Sequence, residues 1–409
     1  MNLQFLLDGY VQSPPVQQLA EAILLPKGQK ILCTKMAGSY AAVLFSALYQ
    51  RNDLNGLNHV IILEDAEEAA YFHNDLEQLI HPIDLFYFPS SFKTNKNFRI
   101  QSSSHVMLRT EALTRLAGGG NRKIIVTYPE ALMEKVSTAE SLSTNIISIK
   151  VNDRLDTDHV MEKLVGYGFE RADFVYEPGQ FAMRGGIFDI YSFGNEKPYR
   201  VELFGQDVDS IRIFDPETQL SERKLLQVNI IPNADAAYEG GEKIDLFSLI
   251  PENTIIYTSH WQLFMDRYRD HEENLNLYLG QAHQPTDTKD TDEKHAEPDP
   301  EGFTPFERME LAMEKRTIVE MAATATIPSP GIVLTFDIAP QPSFNRQFEL
   351  LIKDLKAHEA AKKQLYIFAE NPKQLERLYS IFADLKAEIQ FVPIPTAIHQ
   401  GFIDRDKGI

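Results

Sequence analysis

A turn between an apolar strand and a helix is where a phosphate-binding loop would sit. The first such turn reads Cys33-Thr34-Lys35-Met36-Ala37-Gly38-Ser39-Tyr40-Ala41. A working loop needs glycines, so that backbone N–H groups can wrap the phosphates. It also needs a lysine for the terminal phosphates and a Ser or Thr hydroxyl for magnesium. With Thr34 at the first glycine position, Tyr40 falls on the lysine, Ala41 falls on the hydroxyl, and only Gly38 survives nearby. Lys35 lies on the wrong side of the turn. The stretch reads as a degenerate phosphate loop with no cofactor expected; a noncanonical nucleotide site is the competing reading. A magnesium site would also need an apolar strand ending in a carboxylate. Leu334-Thr335-Phe336-Asp337 and Ile62-Leu63-Glu64-Asp65 have that outline, but neither continues as the Asp-Glu pair of a helicase box.

Other chemistry is thinly supplied. His358-Glu359-Ala360-Ala361-Lys362 opens like a zincin motif, but Lys362 stands where the second histidine belongs. No metal site is expected. Ser102-Ser103-Ser104-His105 has no glycine-flanked elbow and so no catalytic weight. The lone Cys33 and the aromatic run Phe86-Tyr87-Phe88 read as core.

The whole chain narrows the options further. Its 409 residues suggest two to four domains at about 100–200 residues each. Lysine and arginine total 40 against 59 acidic residues, a net charge of −19. Bulk electrostatic binding to nucleic acid is therefore disfavoured. With 43% hydrophobic residues, large cores are within reach and global disorder is excluded. One cysteine allows no internal disulfide and suits a reducing compartment. No apolar run reaches about 18 residues, and no basic stretch precedes an apolar one at the N-terminus. A cytoplasmic protein with no membrane partner is expected.

These residues need elements to hold them. Lys30–Cys33, His59–Leu63, Leu85–Phe88 and Lys123–Thr127 are short apolar strands separated by helical patterns. Continuous apolar strands alternating with helices predict a parallel sheet covered on both faces. After about residue 140 the pattern changes. A capped helix near Asp156–Gly166 leads into strands joined by tight turns, with Arg200–Phe204 and Ser210–Phe214 alternating apolar and polar. Thr254–Tyr257, Gly331–Leu334 and Gln364–Phe368 then return to buried-strand character. The expected division is 1–139 as the first part of an α/β body, 140–231 as an inserted α+β antiparallel domain, and 232–409 as the second part of the body. Residues 281–303, polar and proline-bearing, are expected to be a flexible loop within it.

The most specific stretch is Tyr176-Glu177-Pro178-Gly179-Gln180-Phe181-Ala182-Met183-Arg184-Gly185-Gly186-Ile187-Phe188-Asp189-Ile190-Tyr191. It continues through Tyr199-Arg200-Val201-Glu202-Leu203-Phe204-Gly205 to Asp209-Ser210-Ile211-Arg212-Ile213-Phe214-Asp215. In combination these runs closely resemble the N-terminal module of the bacterial transcription-repair coupling factors (Mfd), which is itself similar to the excision-repair helicase UvrB. Gln341–Asn345, Glu370–Gln374 and His399–Ile403 also look like this family. The resemblance implies a degenerate helicase-like (P-loop NTPase-like) body split by a domain that docks the repair ATPase UvrA. It implies a non-catalytic adaptor that recruits UvrA to RNA polymerase stalled at DNA damage, in transcription-coupled nucleotide excision repair. The alternative is a helicase-like ATPase or DNA-binding module using a noncanonical phosphate loop. On the family pattern, Arg184 and Arg171 are expected at the UvrA contact, with Phe188 as an apolar neighbour. Ala182 replaces a second arginine often present in UvrB. Pro89–Arg109 is too short and too poor in aromatics for UvrB's DNA-gripping hairpin. Full-length family members carry a polymerase-binding domain, a DNA-translocating motor and a C-terminal region that masks the UvrA face. No motor motif occurs here, so the chain is expected to be a fragment without enzyme activity.

Overall fold

The structure is a computed structural model that describes residues 2–81, 84–94, 97–233, 242–282 and 300–409. Its centre is a seven-stranded sheet in the order Ile332–Thr335, Lys30–Thr34, Ile318–Met321, Thr254–Thr258, Asn58–Ile62, Ile124–Thr127, Leu85–Tyr87. Every pairing in it is parallel. Four of the five interior strands are buried along their whole length, and Lys30–Thr34 is buried at its three central residues, as a sheet covered on both faces requires. Lys30–Thr34 lies between two strands from the second part of the chain, Ile332–Thr335 and Ile318–Met321, so neither part of the body can close its core alone.

The helices start where local chemistry allows. Asp65 caps Ala66–Ile80 by accepting from the N–H groups of Glu67 and Glu68. Ser102 caps Ser103–Ala117 through the N–H of His105. Helices Asn2–Val11 and Pro14–Ile23 precede the first strand and bury Leu6, Leu7, Tyr10, Val16 and Leu19. Phe92–Thr94 pairs with Asn97–Gln101 in a short hairpin.

The inserted region has its own six-stranded sheet, in the order Ser221–Leu225, Asp207–Phe214, Tyr199–Phe204, Ile187–Ile190, Gln180–Arg184, Glu170–Arg171. It is antiparallel except for the last pair. Phe181, Phe188, Ile190, Val201 and Ile211 point to one face and form a core with Val160 and Leu164 of the helix Thr157–Gly166. Val106, on the body helix Ser103–Ala117, belongs to that same core and ties the insert to the body.

Two expectations need adjustment. The helix Trp261–Ala282 runs into the expected loop, and Pro300–Gly302 forms a 3-10 turn beside buried Phe303. The remainder of that loop, 283–299, lies outside the described residues. Gln364–Phe368 is not a strand of the large sheet. Tyr366–Phe368 pairs with Val392–Ile394 in a separate two-stranded sheet and is only half-buried. Among the described residues, no helix is long and apolar enough to cross a membrane.

Candidate functional site: a filled phosphate cradle and an open charged face

The turn after Lys30–Thr34 has the position of a phosphate loop, at the carboxyl end of a parallel strand and before a helix, Tyr40–Tyr49. Its polar groups are already engaged within the chain. The N–H groups of Lys35 and Met36 donate to the carbonyls of Ala323 and Ala322, at 3.2 and 3.3 Å. Thr34 Oγ1 donates to Ala323 O. The Ser39 N–H donates to Gln400 O at 3.2 Å, and the Gln400 N–H donates back to Ser39 Oγ at 2.9 Å. Gly38 has a left-handed φ of +56°, and a Cβ there would lie 2.5 Å from Gly401 O. The segment 398–402 thus lies where a phosphate would enter. It is held by the His399 N–H donating to Asp75 at 2.7 Å and by the His399 ring stacked on Tyr71. Burial pushes the Asp75 carboxyl above its ordinary value.

Tyr40, at the sequence position of a loop lysine, is turned into the core. It is 3% exposed and meets Tyr10, Phe336 and Phe402 edge-on. Ala41 packs against the core and brings no hydroxyl. The strand-end carboxylates have structural work. Asp65 is the helix cap already described and lies 3.5 Å from Arg267. Asp337 pairs with Arg405 at the surface. A third, Glu320, was missed by the sequence reading, although Ile318-Val319-Glu320 is an apolar strand with an acid near its end. It is fully buried beside the loop and accepts from the N–H groups of Trp261, Thr326 and Ile327 and from the Thr326 hydroxyl. Its oxygens are saturated by its own chain. Among the described residues, no cluster of His, Cys, Asp and Glu could hold a metal.

The insert presents a different surface. Because strand residues alternate, the face opposite its core carries Ala182, Arg184, Asp189, Arg200, Glu202 and Arg212. Directly paired positions run Ala182, Asp189, Arg200, Arg212, Lys224 across five strands. Asp189 is fully buried and holds two guanidinium groups. Arg200 reaches it through Nε at 2.7 Å and Nη2 at 2.9 Å, and Arg184 Nη2 lies at 2.5 Å. Such charge-assisted forks fix orientation as well as energy. Arg184 also donates to Asp173 O and lies over the Phe174 ring at 4.2 Å. Arg200 lies over Phe214 at 4.3 Å. Arg212 pairs with Glu202 at 3.1 Å.

The three residues expected at a partner contact occupy three different environments. Arg184 is on the open face with its side chain 31% exposed. Arg171 is exposed, but its register with Phe181 puts it on the other face of the sheet, at the edge. Phe188 is fully buried in the insert's core, on the face of the sheet away from Arg184. From there it supports the strand next to Arg184 from below. Along the strand Phe188 and Ile190 face the core, while Ile187 and Asp189 face the other way. A cleft of about 510 Å³ between the body helix and the insert, lined by Met107, Glu111, Lys197 and Glu222 among others, contains none of the three.

Residues 147–235 match the family model of the UvrB interaction domain, and that stretch contains the sheet just described. Over 214 residues the chain is 30% identical to the "Transcription-repair-coupling factor" of Bacillus subtilis (strain 168), which is 52% of this chain and 18% of that protein. The protein of the same name from Staphylococcus haemolyticus (strain JCSC1435) is 31% identical over 208 residues, 51% of this chain and 17% of that protein. The insert thus resembles a UvrB interaction domain, and the chain spans under a fifth of the length of the transcription-repair coupling factors it matches.

Proposed function

We propose that this chain is a non-catalytic adaptor that docks UvrA on the open charged face of its UvrB interaction domain. As part of a transcription-repair coupling factor, it would bring UvrA to RNA polymerase stalled at DNA damage. The observation that carries the reading is the open face itself. It carries Arg184, Arg200, Arg212 and Lys224 in fixed register on a chain of net charge −19, within the segment that matches the interaction-domain family. Its arginines are paired with Asp189 and Glu202, so the face is a mixed, ordered charge pattern of the kind that orients a protein partner, and among the described residues it lacks the clustered free cations that nucleic acid takes. The non-catalytic part is supported by the filled cradle: Tyr40 stands in place of the lysine, and segment 398–402 takes up the loop's hydrogen bonds. Contact with polymerase and DNA, and masking of the face by a C-terminal region, would belong to the longer protein. The proposed compartment is the cytoplasm.

The test is calorimetric titration of the chain into UvrA, with Arg184→Ala and Arg184→Lys alongside. Clear wild-type binding is expected. Arg184→Ala should lose about 2 kcal/mol or more, as truncation of an arginine hot spot does. Lysine should restore only part, because it cannot keep the fork to Asp189 and Asp173. No binding by the wild-type chain would overturn the reading.

A further inference from the structure

The docking face lacks an apolar centre if Phe188 is buried, yet protein interfaces take most of their energy from a few large, desolvated side chains. The loop 172–179 supplies one. The Ala172 N–H donates to Phe181 O, and the Gly179 N–H donates to Tyr191 O. Between these ends, Gln180 Oε1 accepts from the N–H groups of Tyr176 and Glu177, and Gln219 donates to Val175 O. Val175 is buried with Ala182, Tyr191 and Phe214 on the open side of the sheet. The loop is thus fastened at both ends and in the middle. Even so, it leaves Phe174 48% exposed, directly over the Arg184 guanidinium. An aromatic ring held in place this way loses little freedom on binding.

We infer that Phe174, stacked on Arg184 at the rim of the open face, is the apolar anchor of the docking surface, and that it enters a partner pocket with an apolar floor and carboxylates at its edge. This rests on the docking reading above. The charge of the pocket follows from complementarity: the face carries Arg184, Arg200, Arg212 and Lys224 against Asp189 and Glu202. The apolar floor follows from the ring, which has no polar handle. Stacking keeps the cation and the ring side by side, so one partner pocket can meet both.

The experiment is titration of UvrA with the wild-type chain, Phe174→Ala and Phe174→Tyr at several salt concentrations, with the melting temperature of each variant measured. Because Phe174 is half-exposed, all three chains are expected to melt alike. Phe174→Ala should bind about thirtyfold more weakly, with the salt dependence of the wild type, since no charge is removed. Phe174→Tyr, which keeps the ring, should bind within about threefold of wild type. Wild-type binding with Phe174→Ala within about twofold of it would overturn the anchor and leave the docking reading standing. Failure of the wild-type chain to bind would overturn the docking reading and the anchor with it.

Discussion

Asp189→Ala is expected to cost the insert about 3–5 kcal/mol, the usual penalty for removing one partner of a buried ionic cluster. The carboxylate is fully buried and is the common partner of Arg184 and Arg200. Arg200 is the group left stranded: its side chain is 14% exposed, it lies over Phe214, and its remaining bonds run only to Gln219. Arg184 is closer to water and can resolvate. Asp189→Asn keeps the shape and one acceptor, so it should lose less. Urea unfolding followed by limited proteolysis would resolve the insert from the body. The insert transition should move to lower urea while the body transition changes little. A loss below about 1 kcal/mol would show that the cluster is an ordinary surface network.

The second large effect is acid sensitivity of the body. His59 is 2% exposed between Phe45, Tyr49 and Tyr257. Burial, aided by nearby Arg122, lowers its pKa to about 3. Burial lowers that of His271 to about 4. Both are neutral in the fold, whereas the unfolded chain takes up a proton at each near pH 6.5. Their stability is therefore fully present above about pH 6.5 and is withdrawn as pH falls toward the folded values, at about 1.4 kcal/mol per pH unit for each histidine. Asp75, Glu111 and Glu130 act in the opposite sense. Burial raises their pKa values, so the fold gains protons first and they add stability as pH falls. The clean readout is a difference: between pH 6 and 4, His59→Gln should flatten the body's pH dependence by about 1.4 kcal/mol per unit relative to wild type. Parallel pH profiles would show that His59 is not held neutral.

What the sequence disclosed was local. Tyr40 and Ala41 stood out at the positions of a phosphate loop's lysine and hydroxyl because that chemistry depends on spacing within a few residues. The alternating strands of the insert were legible for the same reason. The filling of the cradle was not, because Gln400 and Gly401 are some 360 positions from Ser39 in the chain and meet it only through the fold. The interleaving of strands 30–34, 318–321 and 254–258 was hidden likewise, since no local pattern states which strands become neighbours. An aromatic residue near an arginine suggests an anchor, which is why Phe188 stood out in the sequence. The register of Phe188 puts its side chain in the core, and the exposed ring beside Arg184 is Phe174, ten positions earlier in the chain, on a loop the strand pattern does not reach.

The most direct test of the central claim is hydrogen exchange of the chain with and without UvrA. Slowed exchange is expected in the loop and strand 172–184 and across the adjoining strands 199–214. The seven-stranded sheet and segment 398–402 should exchange at unchanged rates. Protection confined to the body, or no protection anywhere at saturating UvrA, would contradict the assignment of the open face as the docking surface.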